Sequence, residues 1–148
     1  MKGFLAVIVA LCVMPCAIGA APDVADSKAA ERLYARSPDR FHVMRAWRHA
    51  SVRVDLDDAT TIYEIHQNGS VTIYSANAGG DVPRDCAHPV HGEWCVARGR
   101  LLRYGDAIVV MRDAVLDGYL YLDRKGRLCH SSGDAVHGGC ETPGAAVL

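Results

Sequence analysis

The sequence predicts a mainly β protein, an antiparallel meander or small up-and-down barrel of about eight short strands carrying a short N-terminal helical arm. Three observations lead there. A hairpin is written into TTIYEIHQNGSVTIYS (60–75). Short runs of alternating polarity separated by turn residues continue to about residue 130, and no strand-helix-strand alternation follows Ser51, which argues against an α/β fold.

The first twenty residues stand apart. Lys2, the apolar run Phe4 to Val13, Pro15 and the small residues Ala17 to Ala21 have the order of a secretory signal peptide cleaved near Ala20. The apolar run is half the roughly 20 residues needed to span a bilayer. The expected organisation is a signal peptide at 1–20, a helical arm at 21–50, a disulfide-stabilised β domain at 51–140 and a flexible tail at 141–148. Export would place the protein in the periplasm or outside the cell.

Within the arm, DSKAAERLYAR puts Ala29, Ala30, Leu33 and Tyr34 at helical spacing after Asp26 or Ser27 as N-cap. Ser37-Pro38-Asp39 reads as the start of a second helix, with Phe41, Met44 and Trp47 on one face. A strand with Val43 and Trp47 on one face is the competing reading. Between residues 28 and 53, Lys28, Arg32, Arg36, Arg40, Arg45, Arg48 and Arg53 meet only Glu31 and Asp39, so this stretch is basic. An anionic membrane face or an acidic protein would suit it, as would plain solvation of a helix packed on the barrel.

Val52, Val54 and Leu56 alternate with charged residues and form a half-buried first strand, which turns at Asp57-Asp58. In the hairpin, a three-residue loop Gln67–Gly69 pairs Ile65 with Val71 and Tyr63 with Ile73. One face is then Tyr63, Ile65, Val71 and Ile73, and the other Ile62, Glu64, His66, Thr72 and Tyr74. A slip of one residue would move the apolar set off the core face. Residues 76–89 are rich in Gly, Pro, Asn and Asp and predict a surface loop held by Cys86. Trp94 and Val96 open the next strand, with turns expected at Arg98-Gly99, Gly105-Asp106 and Asp117-Gly118 around a buried run Ile108 to Met111. The last hairpin pairs Leu122 with Leu128 and Tyr121 with Cys129 around Arg124-Lys125-Gly126. Tyr63 and Tyr121 are expected on inner faces, Tyr74 and Tyr119 opposite.

The order of Trp47 before the first strand, then YEIHQNGSVTIY, GEWCVARGRLLRYGD and GYLYLDRKGRL, resembles the small lipocalin-like β-meander domains of bacterial envelope proteins. It runs from Ala46 to Cys129, with Ala46 where such domains carry a glycine. The resemblance implies an exported, non-enzymatic binding protein and transfers no catalytic residue.

Six cysteines are present, and Cys86, Cys95, Cys129 and Cys140 lie beyond the leader. An even number in an exported chain favours two disulfides, and of the three connectivities the local pairs are preferred. Closing the Cys86 to Cys95 loop stabilises by roughly 2.5–3 kcal/mol in the chain-entropy model. The 16 basic and 17 acidic residues nearly cancel, which gives no reason to expect nucleic acid as a partner.

Catalysis finds little support. There is no GxSxG; Asp55, Asp57 and Asp58 sit at a strand end; Ser131-Ser132 near His130 is adjacency without geometry; and Cys129 beside His130 is better paired with Cys140. The expectation is therefore no enzyme and no cofactor. The first functional reading is a binder of another envelope protein, as an inhibitor or immunity protein, using Asp81, Arg84, His88, His91, Trp94 and Tyr74 around the clamped loop. A carrier of a small apolar ligand, held in the barrel among Trp94, Val96, Ile65 and Ile73, is the second. The third is a metal-binding protein using His88, His91, His130 and His137.

Overall fold

The computed structural model describes residues 27–84, 86–90, 92–105, 107–131 and 137–141. The signal peptide expected at 1–20 and nearly all of the tail at 141–148 lie outside them. Among the described residues no helix is long and apolar enough to cross a membrane.

One antiparallel sheet carries the fold. Its strands are β1 (His42–Val43), β2 (Ala50–Asp55), β3 (Ala59–Ile65), β4 (Ser70–Asn77), β5 (Pro89–Val90), β6 (Trp94–Tyr104), β7 (Ala107–Arg112), β8 (Val115–Leu122), β9 (Leu128–His130), β10 (His137–Gly138) and β11 (Cys140–Glu141). The path β2-β3-β4-β6-β7-β8-β9 is nearly closed into a barrel. One segment spans the seam: β10 pairs with β2, with Gly138 opposite Val54, and β11 pairs with β9, with Cys140 opposite Cys129. Gly139, between them, donates its N–H to the Arg53 carbonyl at 2.8 Å.

Both hairpins have the expected registers, Ile65 with Val71 and Tyr63 with Ile73, then Leu122 with Leu128 and Tyr121 with Cys129. Gly69 and Gly126 close the two loops at φ 81° and 73°, a conformation glycine adopts without steric cost. The barrel interior is filled by Val52, Val54, Tyr63, Ile65, Val71, Ile73, Leu101, Ile108, Val110, Leu120 and Leu128. A second apolar cluster lies outside the barrel. There α1 (Ser27–Arg36) and a turn of 3-10 helix (Pro38–Arg40) lay Leu33, Tyr34 and Phe41 over Leu102, Val109, Met111 and Tyr119. β7 is thus covered on both faces, which explains its unbroken Ile108 to Met111 run.

The second helix expected from Ser37 does not form. β6 extends past the end of β4 at the Ser70–Arg100 pair, leaving backbone groups without partners on that side. β1 fills the position, pairing His42 with Arg103 and Val43 with Leu102, and Met44 donates its N–H to the Leu101 carbonyl. Phe41 is buried outside the barrel, Met44 packs against its interior, and Trp47 is 47% exposed, so the three share no face.

Two turns are also relocated. Arg98 and Gly99 are interior to the eleven-residue β6, where a Cβ on Gly99 would stand 2.8 Å from the Met111 carbonyl oxygen. Asp117 and Gly118 lie within β8, and the β7–β8 turn is at Asp113-Ala114, with Asp113 at φ 56°. The pairing jumps from Val110–Gly118 to Met111–Leu116, which makes Asp117 the extra residue of a β-bulge. Tyr121 faces outward and is 42% exposed, whereas Tyr119 is buried under the helical arm.

Candidate functional site

The β2–β3–β4 registers align one polar stripe on the outside of the barrel. Ser51 is opposite Glu64 and Glu64 opposite Thr72, and paired residues project to the same side. Since Ala50 pairs with Ile65, the residues just beyond, His49 and His66, face each other on that same outer side. Their rings stand 5.2 Å apart. His49 Nε2 is 2.9 Å from Glu64 Oε1, and His66 Nε2 is 2.9 Å from Thr72 Oγ1. Tyr74 donates its hydroxyl to Glu64 Oε2 at 3.0 Å, and this bond raises the Tyr74 pKa above the usual phenol value. One donor atom from each of His49, Glu64 and His66 lies within 4.8 Å of the others.

Beside this cluster is a concavity of about 390 Å³ lined by Ser51, Ile62, Glu64, Tyr74 and Trp94. Opposition of Tyr74 to Val96 and of Ile73 to Ala97 fixes its walls. The same register corrects the expected ligand chamber: Trp94 and Val96 face out, while Ile65 and Ile73 face in.

Of the residues expected to meet a partner, Tyr74 and Trp94 line this one concavity. Asp81, Arg84 and His88 are exposed on the adjoining loop. That loop is pinned by the Cys86–Cys95 disulfide, by the Asn77 N–H to the Asp81 carbonyl at 3.0 Å, and by the Val96 N–H to the His88 carbonyl at 3.0 Å. His91 lies outside the described residues. Of the histidines expected to hold a metal, His88 precedes β5, whereas His130 is on β9, three strands around the barrel from β6. The structure does not bring these two together. His137 pairs through its backbone with Asp55. His130 is half-buried, its Nδ1 has no hydrogen-bond partner among the described residues, and burial pushes its pKa down.

Sequence reasoning placed Glu64, His66, Thr72 and Tyr74 on one face but left His49 in the helical arm. The signal that recovers it is the β2–β3 register carried one residue past Ala50.

A second outer pocket, about 360 Å³, is lined by Tyr34, Arg98, Gly99, Arg100, Met111 and Asp113 where α1 meets β6 and β7. Comparison with family models, curated proteins and solved structures returns no match for this chain.

Proposed function

We propose that this is an exported, non-enzymatic binding protein that docks another protein of the envelope on the outer face of β3, β4 and β6, in the manner of an inhibitor or immunity protein. The observation that carries the reading is the concavity of Ile62, Glu64, Tyr74 and Trp94 next to a disulfide-clamped loop, outside a barrel whose interior is filled by its own side chains. Aromatic walls of this kind suit a lysine or arginine side chain of the partner. Its stem packs on Trp94 and Ile62 while its charge lies over the ring faces. A half-buried aromatic is also the residue type that dominates protein-binding energies. The clamped loop adds contact area at low ordering cost.

Site-specific photo-crosslinking in the source cells tests this. A photoreactive phenylalanine at Tyr74 should yield one discrete adduct that disappears on Trp94→Ala, while the same probe at Tyr121, on β8, should yield none. Equal labelling at both positions, or an adduct indifferent to Trp94, would reject the docking face.

A further inference from the structure

We propose that His49, Glu64 and His66 form a binding site for a divalent transition-metal ion of the zinc class, open to solvent on one side. Two imidazoles and a carboxylate are a donor set that binds zinc and its neighbours in the first transition row. Their donor atoms gather within 4.8 Å of one another. A tetrahedral ion with bonds of about 2.0–2.1 Å needs its ligands about 3.3 Å apart. The 2.9 Å between His49 Nε2 and Glu64 Oε1 must therefore open slightly, while His66 already has a ring nitrogen within 4.8 Å of both.

These adjustments are small because the three residues differ in freedom. Glu64 and His66 are two residues apart on the same outer face of the β3–β4 hairpin, and both are partly buried. His49, just outside β2, is 56% exposed and able to swing.

The surrounding hydroxyls strengthen the assignment. Metal-bound histidines characteristically give their second ring N–H to a neighbouring acceptor, which fixes the tautomer. Thr72 Oγ1 occupies that position for His66: when Nε2 donates to it, Nδ1 keeps the lone pair for an ion. Tyr74 does the equivalent for Glu64, donating to Oε2 and leaving Oε1 toward His49. The proton shared by His49 Nε2 and Glu64 Oε1 is what an incoming cation replaces. Three protein ligands leave the remaining coordination positions to water or to a group of another molecule, as in sites that are not purely structural. Neither His88 nor His130 belongs to this cluster.

The test is titration of the oxidised protein recovered after export with Zn²⁺ alone, read by native mass spectrometry and calorimetry, with Co²⁺ as a spectroscopic substitute. The expected result is one ion per chain, lost in His49→Ala and in His66→Ala and unchanged in His88→Ala. Thr72→Val and Tyr74→Phe should each weaken binding about ten- to a hundredfold, as loss of an orienting partner does elsewhere. Circular dichroism of each variant confirms folding, and His49→Gln, at an exposed position, replaces any alanine variant that fails it. A wild-type protein that takes up no ion, or uptake that survives loss of both His49 and His66, overturns the assignment.

Discussion

The hydroxyl of Tyr63 on β3 donates to the backbone carbonyl of Asp117 on β8 across the barrel, at 2.8 Å. Asp117 is the bulged residue, so its carbonyl has left the strand ladder, and the tyrosine supplies the missing hydrogen bond. The approach is close enough to dictate the next residue. A Cβ on Gly118 would stand 2.6 Å from the Tyr63 oxygen. Tyr63→Phe should destabilise the protein by about 1–3 kcal/mol, because a part-buried carbonyl loses its partner. Gly118→Ala should cost at least as much. In the double variant the clash with the oxygen is gone, so the loss should fall short of the two single losses added together by about 1 kcal/mol or more. Urea unfolding of the four proteins measures this directly, and strict additivity would contradict it.

Burial holds the Asp117 carboxyl above the usual carboxylate range, against Arg112, whose Nε at 3.5 Å pulls it down. A carboxyl with a raised folded-state pKa binds its proton more tightly when folded. The unfolded chain therefore loses that proton first as pH rises, and stability declines from the unfolded value, about 4, up through the folded one. The stability of the wild type relative to Asp117→Asn should accordingly fall with rising pH in the acid range. Chemical denaturation of both proteins from pH 3.5 to 7 checks the sign; a relative stability that climbs with pH would exclude it.

His130 titrates with the opposite consequence. Its folded-state pKa is depressed by burial, so on acidification the unfolded chain takes up the proton first. The stabilisation is complete above the unfolded value of about 6.5 and is lost as pH falls through the folded one. Melting temperatures of wild type and His130→Leu at pH 7.5 and pH 5 should show a larger drop for the wild type. Parallel drops would assign the acid sensitivity to other groups.

The two disulfides enclose loops of similar length, with sequence separations of 9 and 11. Chain entropy alone gives them stabilisations within about 0.2 kcal/mol of each other. The structure gives them different tasks. Cys86–Cys95 pins a surface loop, whereas Cys129–Cys140 fastens the segment that spans the seam between β2 and β9. Replacing Cys129 and Cys140 by serine should therefore cost at least about 1 kcal/mol more than replacing Cys86 and Cys95. The loop pair should instead matter most for partner capture. Denaturation midpoints and crosslinking yields from Tyr74, taken on both double variants, separate the two effects, and equal costs in stability would contradict the seam role.

Much of the fold was legible because two hairpins declare themselves. Gln67–Gly69 and Arg124–Gly126 each put glycine where the chain needs a left-handed residue, and the flanking apolar alternation leaves one workable register. The same cue misled at Arg98-Gly99 and Asp117-Gly118. Those glycines make room for the Met111 carbonyl and the Tyr63 hydroxyl, both supplied by residues distant in sequence, so local pattern had no access to the reason. Phe41 to Trp47 failed similarly: its spacing is helical, but the open edge of β6 claims His42 and Val43 as a short strand. Tyr74 and Trp94 were legible as site residues because aromatics near a clamped loop are informative by type. Their shared concavity required the β4–β6 pairing. His49 was lost because the strand it adjoins was started one residue late, beyond Ala50, and the histidine was counted with the helical arm.

The seam sets the order in which the molecule becomes safe. Before residues 137–141 are in place, β2 and β9 present unpaired N–H and C=O groups, a template for adding strands from other chains. Residues 137–141 must emerge before those edges are covered, and the Cys129–Cys140 disulfide then holds the segment in place. Oxidation should thus limit self-association as well as add stability. A chain kept reduced should aggregate by edge pairing even where its hairpins have formed, and light scattering during refolding, with and without a thiol oxidant, makes that visible.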